Sequence, residues 1–204
     1  AGSYDMMVVP VSNGTELADN ANEALSMTVK NYDRSGFAHL NNSGVGAYND
    51  DGSLKSNARV LYVTAQTAKT VTCEVKTGSK ATNVAVYTGL QAIIGAYQKG
   101  YETRPLDVRF IGLVEKADLD AVFSSAEGLQ IKGKNAYSNL YITLEGIGDD
   151  ATIRGFGFLL RNAANVELRN FAIMRCMDDC VSLDTDNKYI WVHNLDLFYG
   201  QKGS

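Results

Sequence analysis

One short pattern recurs three times, at a fixed interval, in the last third of the chain. Leu144, Leu168 and Val192 stand 24 residues apart, each two positions before a glycine or an asparagine. These two residue types tolerate the unusual backbone angles of a corner. Repeats of this kind bury a core only by stacking on one another. The spacing therefore predicts an all-β fold, a right-handed parallel β-helix with these three residues in one column.

The composition is typical of an ordered protein with many turns. The 204 residues have room for one sizeable domain or one and a half, and 19 glycines stand against 2 prolines. The net charge of −4 argues against a nucleic-acid binder that depends on a basic surface. No apolar run reaches membrane-spanning length, and the start Ala1-Gly2-Ser3 is not typical of a signal peptide.

The three cysteines, Cys73, Cys176 and Cys180, cannot all pair with one another. Cys176 and Cys180 bracket Asp178 and Asp179, but they do not complete a zinc-ligand set. Because cysteine often acts as a small core residue, we predict a buried free thiol.

Strand patterns precede the repeats. The predicted strands occupy residues 6–11, 25–29, 60–64, 70–75, 83–87 and 106–114. We expect the strands at 60–64 and 70–75 to pair as a hairpin. Residues 41–57 are rich in Gly, Asn, Ser and Asp, and they are predicted to form an irregular surface loop.

A helical period begins near residue 88. Four apolar residues share one face of the predicted helix, namely Leu90, Ile93, Ile94 and Tyr97. Thr88 is placed to cap the start of this helix and Gly100 its end. A helix with one apolar face can cover the open end of a β-helix, so we predict a short N-terminal capping helix.

These patterns divide the chain into three parts. Residues 1–30 form a β-strand segment, and residues 31–87 form a lead-in of irregular loop and hairpin. Residues 88–204 are predicted to be the N-terminal part of the parallel β-helix.

Several sequence blocks follow one another from the helix onward. They are Gly89-Leu-Gln-Ala-Ile-Ile, Val108-Arg-Phe-Ile-Gly-Leu-Val, Tyr141-Ile-Thr-Leu-Glu-Gly-Ile-Gly, Asn165-Val-Glu-Leu-Arg-Asn-Phe-Ala-Ile, Asp178-Asp-Cys-Val-Ser-Leu and Ile190-Trp-Val-His-Asn. In this order and spacing they resemble the N-terminal half of the pectate lyases of polysaccharide lyase family 1. The resemblance covers residues 88–204. Residues 1–30 resemble, more faintly, the end of a fibronectin type III-like module.

The resemblance implies a calcium-dependent pectate lyase that cleaves polygalacturonate by β-elimination and is secreted or held at the cell surface. The reaction removes the weakly acidic proton on C5 of a galacturonate unit, and Ca²⁺ assists by neutralising the neighbouring carboxylate. Calcium takes about six to eight oxygen ligands, which acidic residues share with the substrate. In family members an arginine removes the proton.

The resemblance also places candidate site residues. The first calcium-binding acid falls on Asp179, with Asp178 as its neighbour, and some family members carry a further acid where this chain has Met177. From the residues alone, two adjacent aspartates more often form a solvated turn before a strand. His193 stands where many relatives have an acid, and we predict a structural hydrogen-bonding role for it.

The resemblance assigns no catalytic residue to this chain. The base arginine and the remaining calcium-binding acids are expected beyond Ser204, in a C-terminal half that is either a second chain or a missing segment. The solenoid of this chain is therefore expected to be incomplete, with cleavage in an exposed loop near Gly200. Two alternatives stay open: a pectin lyase, which needs no calcium, and a non-catalytic carbohydrate-binding or adhesive β-helix. Neither nucleic-acid binding nor membrane insertion is expected.

The remaining charged and aromatic residues have structural predictions. Four arginines are predicted to pair with acids such as Glu145, Glu167 and Asp184, or to be solvated: Arg154, Arg161, Arg169 and Arg175. Five aromatic residues are predicted to lie in the core: Phe156, Phe158, Phe171, Trp191 and Phe198.

Overall fold

The computed structural model describes residues 2–29, 33–122, 128–198 and 200. By internal contacts the chain divides into two compact units, Ala1–Arg34 and Ser35–Ser204. The predicted continuation beyond Ser204 and most of the predicted cleavage segment lie outside the described residues. Within them, no helix is both long enough and apolar enough to cross a membrane.

The first unit is a small antiparallel arrangement. Its elements are β1 (Gly2–Met6), β2 (Val11–Ser12), β3 (Thr15–Glu16), a 3₁₀ helix (Ala18–Asn20) and β4 (Leu25–Val29). β1 pairs with β4, and β2 pairs with β3, both antiparallel. The strand predicted at 6–11 is displaced, because β1 ends at Met6. The likeness of this unit to a fibronectin type III-like module stays a prediction.

The second unit contains twelve strands and one α-helix within its described residues. They are β5 (Arg59–Val63), β6 (Thr72–Lys76), β7 (Val84–Thr88), α1 (Leu90–Tyr97), β8 (Leu106–Glu115), β9 (Leu129–Lys132), β10 (Ser138–Arg154), β11 (Phe158–Arg161), β12 (Ala163–Arg169), β13 (Ala172–Met174), β14 (Val181–Leu183), β15 (Lys188–His193) and β16 (Asp196–Leu197). Short 3₁₀ helices occupy Phe37–His39 and Lys116–Asp118.

Most of these strands belong to one parallel sheet, which we call the main sheet. β5, β8, β10, β12 and β15 lie side by side in that order. β13 lies beside the last part of β10, and β16 lies beside β13. A smaller parallel sheet consists of β9, β11 and β14, and β6 forms an antiparallel pair with β7.

The predicted right-handed parallel β-helix, complete or incomplete, is wrong. The described strands divide among five sheets, three of which are two-stranded and antiparallel, and these small, mixed sheets show no solenoid stacking. β10 does not break at the predicted corner Gly146 but continues as one strand to Arg154, so it pairs in turn with β12 and with β13. A fixed repeat requires only that matching residues be neighbours in a sheet. An open parallel sheet meets this requirement as well as a closed coil does.

The register that the repeat predicts is confirmed. Leu144 is the direct partner of Leu168, and Leu168 is the direct partner of Val192. The same column continues through Val108 to Leu61 on the other side of β10. Its four inner members are buried, whereas Val192 on the last strand is 36% exposed.

Aromatic side chains fill part of the core beside this column. Phe110, Phe156, Phe158 and Phe171 are buried, and their ring centroids lie 5.8–6.4 Å apart in contacting pairs. The core prediction is therefore confirmed for three of the five aromatic residues. Phe198 is 51% exposed, so its core prediction is wrong. Trp191 is only partly buried.

Two predictions for the lead-in region are wrong. The strands at 60–64 and 70–75 do not form a hairpin, because β5 pairs in parallel with β8 and β6 pairs with β7. Residues 41–57 are largely irregular, as predicted, but they do not lie wholly at the surface: Val45, Ala47 and Tyr48 are buried. Hydrogen bonds from the Tyr48 hydroxyl to Asp107 and Glu145 hold this segment against the main sheet.

The predicted amphipathic helix is confirmed as α1, with all four residues of its apolar face buried. Its predicted cap is wrong, because Thr88 makes no capping bond. Instead the Asp120 carboxylate accepts hydrogen bonds from the backbone N–H groups of Gln91 (2.8 Å) and Ala92 (2.9 Å). In the absence of a solenoid, α1 packs against β6, β7 and β9 and is not an end cap.

The cap from Asp120 can be tested by comparing two alanine variants. Asp120→Ala leaves two N–H groups of the first helical turn without their acceptor, so we expect the free energy of unfolding to fall by about 1–2 kcal/mol. Thr88→Ala is the matched control and should change it by less than about 0.5 kcal/mol. Urea denaturation measures both, and equal losses would contradict the assignment.

Candidate functional site

The two candidate calcium-binding aspartates lie in a tight loop between β13 and β14. A disulfide bond between Cys176 and Cys180 closes this loop. Asp179 is exposed, and its Oδ2 accepts a hydrogen bond from Oγ of Ser182 at 2.8 Å. Asp178 is partly buried. The structure thus presents the Asp179 carboxylate at the start of β14, where the sequence resemblance places it.

A glycine allows the loop to lie close to the neighbouring strand. A Cβ atom at Gly157 would collide with the main-chain carbonyl oxygens of Asp179 and Cys180. Only a residue without a side chain fits there, because neither carbonyl can retreat without moving the disulfide-closed loop. Gly157 therefore helps to fix the position of Asp179.

The disulfide corrects the cysteine prediction in part. Cys176 and Cys180 are paired with each other and are not free thiols. Cys73 is the free, buried cysteine. The prediction treated these cysteines as small core residues, whereas the four-residue spacing reflects a covalent link that holds the aspartate loop.

The carboxylates of this loop have the right chemistry for calcium but do not complete a site. Asp178 and Asp179 offer the oxygen donors that Ca²⁺ prefers, yet the ion takes about six to eight. In the described part of the chain, no three His, Cys, Asp or Glu side chains are grouped closely enough to hold a metal. Met177 adds no oxygen ligand. No reaction step can therefore be derived through calcium from these residues alone.

A basic cavity of about 610 Å³ lies next to the aspartate loop. Lys116, Arg154 and Arg175 line it together with one acid, Glu115. Nε of Arg154 donates to Oε1 of Glu115 at 2.6 Å. Nζ of Lys116 lies 2.9 Å from Sδ of Met177, which joins the cavity wall to the aspartate loop. We call this feature the basic cavity.

A second charged cluster lies on the outward face of the main sheet and is largely buried. Nε of Arg109 contacts Asp107 at 2.8 Å and Glu145 at 3.1 Å. Arg169 contacts Glu145 at 2.5 Å and Glu167 at 3.4 Å. The three acidic side chains are at most 4% exposed. Burial on this scale requires partners on both sides, and the two arginines provide them.

The irregular segment at residues 41–57 covers this cluster. The Tyr48 hydroxyl donates toward Glu145 at 2.7 Å and Asp107 at 3.2 Å, and the N–H of Ala47 donates to Oγ1 of Thr143 at 2.8 Å. Gly46 has a φ of +68°, and a Cβ atom there would collide with Thr143. The close approach therefore depends on glycine.

Burial changes the proton affinity of these groups. Burial, and then the hydrogen bond with Glu145, raise the pKa of Tyr48 well above its usual range, so its hydroxyl stays a donor. Burial and the neighbouring Glu145 carboxylate raise the pKa of Asp107 to about 6. The Oδ1 atom of Asp107 is buried, and no group of the described residues hydrogen-bonds to it.

His193 has the structural role that the sequence predicted. Its Nε2 lies 3.1 Å from Oε1 of Glu167 and its Nδ1 lies 2.9 Å from Oδ1 of Asn194. The ring also stacks on Trp191 with centroids 3.7 Å apart, and Trp191 meets His39 edge-on at 4.8 Å. These contacts tie the last strand of the main sheet to the residues that cover it.

The arginine predictions are largely confirmed. Arg169 pairs with Glu145 and Glu167, and Arg161 pairs with Asp184. Arg154 also pairs, although with Glu115. Arg175 lines the basic cavity.

The sequence patterns did not indicate either of the two charged features as a unit. The buried cluster had a signal, because Thr143 and Glu167, like Glu145 and Arg169, stand 24 residues apart and are bonded to each other. The basic cavity had none, since Glu115 and Arg154 are 39 residues apart, outside the repeat.

Comparison with protein-family models, with curated proteins and with solved structures gave no match. The resemblance to pectate lyases rests on the sequence blocks alone.

Thiol counting tests the cysteine assignment. In denaturant without reductant, we expect one thiol per chain to react with a disulfide reagent, because Cys176 and Cys180 are paired. In the folded protein this thiol should react slowly, since burial raises the pKa of Cys73. Cys73→Ser is the control and should leave no reactive thiol. Three reactive thiols would contradict the disulfide.

The buried cluster predicts a specific pH dependence of stability. The pKa of Asp107 is raised from 3.8 to about 6, so the folded state binds a proton that the unfolded state releases. The contribution of Asp107 is fully present below about pH 4 and is lost as the pH rises through about 6, by on the order of 1–3 kcal/mol. Asp107→Asn should remove this dependence, as measured by urea denaturation at several pH values.

Glu102 is a control, because its contribution to stability should depend on pH in the opposite direction. Burial alone would raise its pKa, but hydrogen bonds from Arg104 and from the backbone N–H of Lys76 lower it to about 2. The contribution of Glu102 is therefore present above about pH 4.5 and is lost as the pH falls toward 2. Glu102→Gln should lower stability above about pH 4.5, and it should change the slope of the curve only in that lower range. A stability curve of Asp107→Asn that parallels the parent between pH 4 and 7 would refute the raised pKa.

Proposed function

We propose that this protein is a calcium-dependent pectate lyase, which cleaves polygalacturonate by β-elimination. The observation that carries the proposal is the placement of Asp179. Its carboxylate is exposed at the start of β14, in a loop held by a disulfide, and the loop contacts the wall of the basic cavity. An acidic polymer needs both kinds of group, oxygen ligands for a bridging cation and positive side chains for its carboxylates.

In this proposal Asp179, with Asp178 beside it, binds calcium. When bound, the ion would neutralise the charge of the substrate carboxylate and so make the C5 proton more acidic. The substrate and residues outside the described ones must provide the remaining oxygen ligands. The proton-abstracting arginine that the resemblance implies is not assigned to a residue of this chain.

The disulfide supports a secreted or cell-surface location as part of the proposal. Disulfides form and persist in oxidising compartments and are rare in the cytosol. Cys176 and Cys180 hold the loop that carries the proposed ligand, so a reducing compartment would loosen the site itself.

A non-catalytic binding module for the same polymer is the second candidate. The basic cavity favours it, because cations that hold a carboxylate polymer need no catalytic group beside them. A pectin lyase, the third possibility, would act on methylated polymer without calcium. Release of the unsaturated uronate product and its calcium dependence separate all three.

The test compares two asparagine variants in the full-length gene product. Asp179→Asn keeps the shape of the side chain but removes its charge, so we expect the rate of polygalacturonate cleavage at limiting calcium to fall at least about tenfold, a loss of about 1.4 kcal/mol. The matched control is Asp196→Asn, an exposed aspartate on β16. The assay is the ultraviolet absorbance of the unsaturated product over a series of calcium concentrations.

The outcomes separate the candidates. If Asp179→Asn keeps the rate and calcium dependence of the parent, Asp179 is a turn residue and the metal assignment is wrong. If polygalacturonate binds and no unsaturated product forms at any calcium concentration, the protein is a binding module. Product formation from methylated polymer in the presence of a chelator would identify a pectin lyase.

A further inference from the structure

The segment that covers the buried charges is braced within itself. We call residues 41–57 the covering segment. Nζ of Lys55 donates to the carbonyl oxygens of Gly44 at 2.6 Å and of Gly46 at 2.7 Å. The backbone N–H of Lys55 donates to the carbonyl oxygen of Ala47 at 2.9 Å. Because these bonds lie inside the segment, they can persist when it leaves the main sheet, so it can move as one piece.

The attachment of the covering segment to the main sheet depends on buried acidic groups. The Tyr48 hydroxyl lies 2.7 Å from Oε1 of Glu145 and 3.2 Å from Oδ2 of Asp107. Beside it, the N–H of Ala47 donates to Oγ1 of Thr143 at 2.8 Å. One hydroxyl proton thus serves two carboxyl groups, and the strength of this attachment depends on the charge that the two groups carry.

Asp107 has too few hydrogen-bond donors for a buried carboxylate. Its Oδ2 accepts from Nε of Arg109 at 2.8 Å and lies near the Tyr48 hydroxyl, whereas Oδ1 is buried and has no partner among the described residues. On the side of β5 its partner in the register is Val60, an apolar residue. An oxygen atom without a donor costs more free energy in a charged carboxylate than in a neutral carboxyl group. The covered arrangement therefore favours protonated Asp107.

The charges around Asp107 favour the same protonation state. By element, the charged or titratable groups of this cluster are Tyr48 on the covering segment, Tyr62 on β5, Arg109 on β8, Glu145 on β10, Glu167 and Arg169 on β12, and His193 on β15. With all three acids ionised and His193 neutral, three negative charges face two arginines, whereas protonation of Asp107 makes the numbers equal. Burial and the Glu145 carboxylate accordingly raise the pKa of Asp107 to about 6.

We infer that the covering segment is a pH-dependent flap, which lies on the main sheet at acidic pH and detaches as the pH rises, with Asp107 as its controlling group. Ionisation of Asp107 sends its proton to solvent and leaves an uncompensated negative charge beneath the segment. When the segment detaches, water supplies the hydrogen bonds that Oδ1 lacks. The detached state therefore favours the carboxylate, and the closed state loses stability as the pH rises. The inference goes beyond the proposed function, because it involves neither calcium nor polygalacturonate.

Amide hydrogen exchange, followed by NMR spectroscopy, measures detachment directly. The backbone N–H of Ala47 is bonded to Thr143, so it exchanges only when this contact opens. After correction for the intrinsic effect of pH on exchange, we expect its protection to fall about 10- to 30-fold between about pH 4.5 and 7.5. Exchange at Ala47 should also be faster than in helix α1 and insensitive to low urea concentrations, which distinguishes detachment from global unfolding.

Variants assign the pH dependence to one group. Asp107→Asn keeps the shape of the side chain without its charge, so Ala47 should stay protected at both pH values. The matched control Asp196→Asn removes an exposed carboxylate elsewhere and should keep the fall seen in the parent. Tyr48→Phe removes the shared donor, so protection should be about fivefold lower than in the parent at both pH values. His193→Asn removes a residue type that changes charge near neutral pH and should keep the dependence of the parent.

Several results would overturn the flap. These are equal protection of Ala47 in the parent at both pH values, exchange of Ala47 at the same rate as helix α1, a fall that persists in Asp107→Asn, and loss of the fall in His193→Asn. Parent-like protection in Tyr48→Phe would also contradict the proposed attachment, and this test holds even if Asp107→Asn does not fold. A stability that depends on pH without any change at Ala47 would place the effect of Asp107 on global unfolding and not on the flap.

Discussion

The parallel register of the main sheet is the constraint on which the rest of this structure depends. With each position paired to its equivalent in the next strand, Val108, Leu144 and Leu168 meet on the buried face. The same register brings Arg109, Glu145 and Arg169 together on the opposite face, where their charges alternate in sign. A slip of one residue would move the charges into the core and the leucines outward. Apolar packing and charge pairing therefore specify the same register.

The buried charges contribute more to the specificity of the fold than to its stability. Removing three carboxylates from water is costly, and the pairs with Arg109 and Arg169 offset that cost only when every partner is present. Tyr48 and Ala47 complete the set, so the irregular segment that carries them has one place to lie. The hydrogen bonding of Asp107 is incomplete, because one of its oxygen atoms has no hydrogen-bond partner among the described residues. The charged groups on this face of the sheet therefore hold the covering segment in place.

Local and periodic features of the fold could be predicted from the sequence, and distant ones could not. Helix α1 follows from the spacing of its apolar residues, and the register follows from the repeat. The β-helix does not follow, because a repeat cannot tell a strand that turns at Gly146 from one that continues to Arg154. The cap of α1 comes from Asp120, 28 or 29 residues away, where no local pattern points. Sequence blocks likewise locate Asp179 but not the cations beside it.

The two charged features of the molecule differ in whether a ligand can reach their charges. On the face of the main sheet, acids and arginines pair at 2.5–3.4 Å and are covered by residues 41–57, so a ligand cannot reach them in the covered state. At the carboxyl ends of β8, β10 and β13, the described lining of the basic cavity includes Lys116, Arg154 and Arg175, and Arg154 pairs with Glu115. The cavity is also open, so a ligand can reach these charges without the cost of displacing a covering segment. A ligand can therefore reach the charged groups at the strand ends, but not those that lie beneath residues 41–57.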